Sequence, residues 1–132
     1  MLDSNVPIRA YLAANAGLIA LVGTRIYVPR LPENAVLPAL GFFTRGGTST
    51  PYIPTIPSPS VQIDCWGRTP QEARQVYRAV YDALQGIQNV TVTIGLTDYV
   101  ILAAREEVQG QDLADEIQGY YRVLTFFEIM LR

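Results

Sequence analysis

The chain contains no histidine, no lysine and a single cysteine in 132 residues. Histidine supplies most general bases near neutral pH and is the commonest metal ligand, so its absence weighs against an enzyme and against a resident metal or cofactor. Without lysine there is no Schiff-base nucleophile and no lysine-bearing phosphate loop. Gly46 and Gly47 before Thr48 and Ser49 therefore do not read as a phosphate cradle, the more so as no helix signal follows them. One cysteine permits no internal disulfide, and Cys65, in line with Val61 and Ile63, reads as a small core residue rather than a reactive thiol. Charge is also scarce: 17% of residues are charged and the net charge is -2, which leaves no footprint for gripping nucleic acid. No apolar run reaches the roughly 18 residues of a membrane span. Met1 to Asn5 carries an aspartate and no basic segment, so neither a membrane partner nor a signal peptide is expected.

What the sequence does have is apolar residues, 49% of the total, in a chain sized for one domain over residues 1–132. That surplus points to subunit interfaces. All ten basic residues are arginine, the side chain suited to fixed bidentate contacts with carboxylates across such interfaces.

The clearest local signal runs from Val61 to Leu84. Val61, Ile63 and Cys65 alternate with Gln62 and Asp64, the period of a half-buried strand ending near Trp66. A helix then begins: Thr69 is a good N-cap, Pro70 suits the first position, and the Glu72 carboxylate is placed to reach back to the cap amide. Ala73, Val76, Tyr77, Val80 and Leu84 give it one apolar face, Gly86 closes it, and Arg78 and Asp82 are spaced to pair on the outside. With no partner base, metal set or phosphate loop, the junction around Asp64, Trp66 and Arg68 reads as scaffold.

Before this stretch, Ser4 or Asn5 caps a first helix with Pro7 in its opening turn, a break at Asn15 to Gly17, and an end at Gly23. A short strand over Arg25 to Val28 and a longer one over Leu37 to Thr44 follow, the second with Leu40 and Phe42 on one face and Phe43 on the other. Pro38 places the start of that strand at an edge or outside the ladder. Residues 46–60 form a proline-rich arm or loop, in which Tyr52, Ile53 and Ile56 are too apolar for an idle linker. After the long helix, Val90, Val92 and Ile94 form a strand that turns through Gly95 to Asp98 into a second, Tyr99 to Val108, making a hairpin. Residues 109–119 read as a polar connection with one helical turn at most. Its acids and their neighbours, Glu106, Glu107, Asp112, Asp115 and Glu116, lack the loop spacing of a calcium hand and read as a solvated turn. The last strand, Tyr120 to about Leu131, is apolar on both faces: Tyr121, Val123, Thr125, Phe127 and Ile129 against Tyr120, Leu124, Phe126 and Met130. Such a strand needs a second helix layer or a neighbouring subunit, and the subunit is the expected cover. Tyr77, Tyr81, Tyr120 and Tyr121 are spaced for core or interface packing rather than for stacking bases. The fold class is α+β: a single antiparallel or mixed β-sheet, one long helix and an N-terminal helix packed on it, and the extended proline-rich arm.

In their order along the chain these pieces resemble the tail completion, or tail terminator, family of long-tailed bacteriophages. The matching residues are ALVG ending at Gly23, RIY at Arg25 to Tyr27, LPAL at Leu37 to Leu40, VQIDCWG at Val61 to Gly67, Glu72 with Ala73, and YRVLTFF at Tyr121 to Phe127. The proline-rich arm departs from the shorter linkers of the family. The resemblance implies a virion protein of the neck, made in the host cytoplasm, that forms a homo-oligomeric ring, usually a hexamer. Its partners would be the major tail tube protein, which it caps, and the head-tail connector or stopper protein, with DNA passing through the lumen without specific binding. Arg45, Tyr52, Ile53, Ile56, Tyr120, Phe126 and Phe127 are the expected subunit or tube contacts. Two other readings stay open: another neck component such as a head-side stopper or adaptor, and a small binding module or enzyme using the acidic connection.

Overall fold

The computed structural model describes residues 3–29, 31–32, 34–48, 56–115 and 119–132. Two short helices, α1 (Asn5–Ala13) and α2 (Ala16–Val22), precede strands β1 (Ile26–Tyr27), β2 (Ala39–Thr48) and β3 (Ser58–Gly67). The long helix α3 (Pro70–Leu84) then leads to β4 (Gln88–Ile94), β5 (Thr97–Asp115) and β6 (Tyr120–Leu131). The strands form one curled six-stranded sheet in the order β1-β2-β3-β6-β5-β4, antiparallel throughout except for the β1–β2 pair. This is the α+β architecture expected from the sequence.

Local chemistry explains the helix boundaries. The predicted break in the N-terminal helical segment is real, and Asn15 causes it by capping a new helix: its side chain accepts a hydrogen bond from the Leu18 amide at 3.1 Å. Thr69 caps α3 through the Glu72 amide at 3.1 Å. The return half of the box differs from expectation, because Glu72 accepts from the Arg68 amide at 3.0 Å and from its guanidinium, one residue before the cap. That pairing holds the Glu72 carboxyl below its usual pKa. Arg78 and Asp82 do not come within ion-pair distance of each other; among the described residues the α3 arginine that pairs is Arg74, with Asp112 at 2.9 Å.

All three helices contribute to a single core on one face of the sheet. Ile8 and Leu12 of α1, Leu18 and Val22 of α2, and Val76, Val80 and Leu84 of α3 are fully buried there. They meet Leu40 and Phe42 of β2, Val61, Ile63 and Cys65 of β3, and Val123, Phe127 and Ile129 of β6. Burial of the Cys65 thiol, with the Asp64 and Glu106 carboxylates nearby, pushes its pKa well up.

Three sequence expectations change, two in the second half of the chain and one at the proline-rich arm. Residues 109–115 are not a helical connection: they prolong β5 to Asp115, paired with β6 down to Tyr120. Glu106, Glu107 and Asp112 are therefore not one solvated turn, and Glu116 lies outside the described residues. Glu106 accepts hydrogen bonds from Tyr77 and Thr125 at 2.7 Å each, Glu107 accepts from Ser60 at 2.7 Å, and Asp112 pairs with Arg74. The proline-rich arm also starts later and ends sooner than expected, since Thr48 pairs with Ser58 and Gly47 with Pro59. Pro38 stands just outside the ladder, as expected, and the strand that follows it is interior, with β1 pairing outside β2.

Irregular register along β5 brings it onto α3. Its pairing with β6 shifts between Ile101 and Ala103, between Glu106 and Val108, and between Val108 and Gln111. At the last of these the Tyr77 hydroxyl accepts from the Gly110 amide at 3.1 Å while donating to Glu106. Burial and the Glu106 carboxylate push the Tyr77 phenol up to about 12. Only glycine fits at 110, because a Cβ there would stand 2.7 Å from Tyr77 Cζ and 2.8 Å from Val123 Cγ1.

Candidate interaction surface

The β-sheet period places a second set of residues on the face away from the helices. In register across β3 and β6 these are Ser60 beside Glu128, Gln62 beside Phe126, Asp64 beside Leu124, and Trp66 beside Arg122. Phe43 of β2 adjoins Gln62, and Val108 of β5 adjoins Phe126. Among the described residues no helix covers this face, and Phe43, Trp66, Leu124 and Phe126 remain half-buried while Val108 and Met130 are exposed. Aromatic and charged groups thus share a face left open to solvent, the composition of a surface that a partner can cover.

Its arginines are held in fixed poses. Arg45 lies over the Phe126 ring, 4.0 Å from the centroid, and donates to Ser60 Oγ at 2.9 Å. Arg122 lies 5.2 Å from the Trp66 ring, whose edge in turn packs against Tyr120 at 6.2 Å. Arg105 pairs with Glu128 at 2.7 Å, and Glu128 also accepts from Ser58 at 3.0 Å. A guanidinium stacked on an aromatic ring keeps its edge nitrogens free for a carboxylate while losing little further rotamer freedom on binding.

Among the described residues, Asp64 Oδ1 and Trp66 Nε1 are buried here and have no hydrogen-bond partner. Asp64 is only 6% exposed, and Arg122 reaches its Oδ1 at 3.6 Å, close enough for attraction but too long for a hydrogen bond. Burial raises the Asp64 pKa, against the opposing pull of Arg122 and Gln62. Leaving such an acceptor unsatisfied costs about 1–3 kcal/mol in an isolated subunit.

The contact residues expected from the sequence are dispersed. Arg45, Tyr120 and Phe126 have exposed or half-buried side chains on or beside the open face, and Ile56 is half-buried next to β3. Phe127 has no accessible surface, because its neighbour Phe126 takes the open face and the two-residue period sends Phe127 into the core. It presents nothing to a partner. Tyr52 and Ile53 lie outside the described residues. Sequence reasoning treated Asp64 and Trp66 as scaffold, although their alternation with Val61, Ile63 and Cys65 placed them opposite the core, and it gave Arg122, on β6, no role.

The fold is similar to a chain in the solved structure titled "Virion of native gene transfer agent (GTA) particle". The TM-score is 0.67 and the identity 18%, with 97% of this chain and 93% of that chain covered. No curated protein sequence matches the chain significantly. The profile of the family described as Tail completion protein gp17 matches residues 6–131, nearly the full length. The chain therefore belongs to the Tail completion protein gp17 family and is a structural, tail-related protein of phage-type particles.

Proposed function

We propose that this chain is the subunit of a hexameric ring that caps the head-proximal end of the tail tube, stops its growth and joins it to the head connector. The observation that carries the reading is the open face of β3 and β6. It combines half-buried aromatics, stacked arginines and two unsatisfied buried polar atoms, Asp64 Oδ1 and Trp66 Nε1. A surface of this kind gains stability when a neighbouring subunit, the tube or the connector covers it. In this reading the protein sits in the neck of the virion. DNA passes through the lumen, and a net charge of -2 suits a wall that does not grip the passing phosphates.

The arm belongs to the same reading. It springs from the Thr48–Ser58 pair, and its apolar residues Tyr52, Ile53 and Ile56 would contact a neighbour or the tube. Removing residues 49–57 and closing the hairpin with a short turn should leave the subunit folded and impair assembly; unimpaired particles would show that the arm has no part in it.

Native mass spectrometry of the chain, alone and with purified tail tubes, tests the ring. A multiple of the subunit mass, free or on tubes, is expected. A strict monomer at high concentration that also fails to load onto tubes would contradict it. Particles made without the protein separate this reading from its neighbour: abnormally long tails support a tail terminator, whereas normal tails beside heads that leak DNA support a head-side stopper.

A further inference from the structure

Trp66 is the only tryptophan in the chain, and it shares the open face with Asp64, two positions before it on β3. Among the described residues the two side chains leave complementary groups unused: the indole Nε1 is a donor without an acceptor, and Asp64 Oδ1 is an acceptor without a donor. Asp64 is more than nine-tenths buried, at 6% exposure, so bulk water compensates it poorly. At roughly 3.3 Å per residue the two positions lie about 6.6 Å apart along the strand.

Arg122, in register with Trp66, faces both. Its guanidinium lies 5.2 Å from the Trp66 ring centre and 3.6 Å from Asp64 Oδ1, where it attracts the carboxylate without a hydrogen bond. Its side chain is 33% exposed, so turning it toward a partner gives up one stacking contact and one long ion pair. Tyr120 packs edge-on against the indole at 6.2 Å. Tryptophan, tyrosine and arginine are the residue types that carry most binding energy where an interface excludes water.

The unused donor and acceptor restrict what fits between them. A cation satisfies Asp64 and leaves the indole unserved, whereas a carboxylate serves the indole and is repelled by Asp64. A carboxamide carries its acceptor and its donor on separate atoms, so it spans the gap between the two positions better than a single hydroxyl oxygen. We propose that Asp64 and Trp66 are the recognition point of the open face for a protein partner that inserts an asparagine or glutamine side chain. The carboxamide oxygen accepts from Trp66 Nε1, its NH2 group donates to Asp64 Oδ1, and Arg122 turns outward to a carboxylate of the same partner. The proposal rests on the assembly reading above and names the chemistry of the group that covers the face.

The test uses the full chain, at high concentration by itself and with purified tail tubes. Trp66→Phe, Asp64→Leu, Asp64→Asn and the double variant W66F/D64L are compared with wild type by sedimentation, and thermal unfolding confirms that each subunit folds. Trp66→Phe and Asp64→Leu are each expected to weaken association roughly tenfold or more. The double variant should lose less than the product of the two, because one group serves both positions. Asp64→Asn, whose carbonyl still accepts, should recover part of the loss seen with Asp64→Leu. In wild type, ultraviolet resonance Raman of the indole N–H, which reports Trp66 alone, should show a hydrogen bond forming on association; a merely structural pair gives no such change. Losses that multiply in full, or an Asp64→Asn as weak as Asp64→Leu, would overturn the carboxamide assignment, the second in favour of a cationic group. An indole already hydrogen-bonded in the dissociated subunit would mean that water serves the pair, and the proposal fails. Normal association by both single variants overturns it and leaves the ring standing, whereas a wild-type chain that associates in neither setting removes the ring reading and this contact together.

Discussion

Two glycine-to-alanine substitutions should move stability in opposite directions. At Gly110 the new methyl carbon would lie 2.7 Å from Tyr77 Cζ, 2.9 Å from Tyr77 Cε1 and 2.8 Å from Val123 Cγ1. All three are inside the closest approach of carbon atoms, and neither neighbour can swing away, since Tyr77 is held by Glu106 and Val123 is packed in the core. Overpacking of this kind costs about 1–3 kcal/mol. Part of that, about 0.4–1 kcal/mol, is offset because alanine lowers the entropy of the unfolded chain. The net expectation for Gly110→Ala is a destabilisation of about 1–2 kcal/mol, or roughly 3–8 °C in Tm for a domain of this size. Gly17, by contrast, sits in the first turn of α2, and the nearest atom to a Cβ there is Asn15 Oδ1 at an ordinary 3.5 Å. Gly17→Ala should therefore stabilise by about 0.5–1 kcal/mol. Urea titration with constant m-value measures both. The reasoning is refuted if Gly110→Ala equals or exceeds wild type in stability, or if the two substitutions share a sign.

Other consequences concern single groups. Asp64 has a folded pKa raised above its unfolded value of about 3.9, so its ionisation opposes folding at pH above the folded value, and that penalty is absent below the unfolded one. Asp64→Asn should raise Tm of the dissociated subunit at pH 7, with the gap closing toward pH 3; a variant that is less stable at pH 7 would show that the Arg122 attraction dominates instead. Thr69→Ala removes the α3 cap and should cost about 1 kcal/mol by denaturant titration, an unchanged midpoint being the contrary result. Glu72 has a lowered folded pKa, so its bond to Arg68 supports α3 above the unfolded pKa of about 4.3 and is lost as pH falls through the folded value; Arg68→Ala should abolish that acid-side loss. Cys65 should resist a maleimide in the folded protein and react on unfolding, and rapid native labelling would show the strand to be open.

What the sequence made legible depended on whether one periodicity ran uninterrupted. The α3 face of Ala73, Val76, Tyr77, Val80 and Leu84 is buried as expected because nothing breaks its 3.6-residue repeat. The far half of β5 was hidden because its register shifts destroy alternation, and because Gln109, Gly110, Gln111 and Asp112 are polar for local reasons: Gly110 admits the Tyr77 ring and Asp112 meets Arg74. The open face was half legible. Alternation along β6 separated Phe126 from Phe127, but with both sets apolar it did not tell which side the helices cover. Trp66 and Arg122 needed the β3–β6 register to be seen as a pair, and register is a long-range property absent from either segment alone.

The most direct test of the account is electron microscopy of particles assembled without this protein. It predicts tails of uncontrolled, mostly excessive length that carry no heads. Tails of normal length, joined to heads in normal numbers, would contradict it.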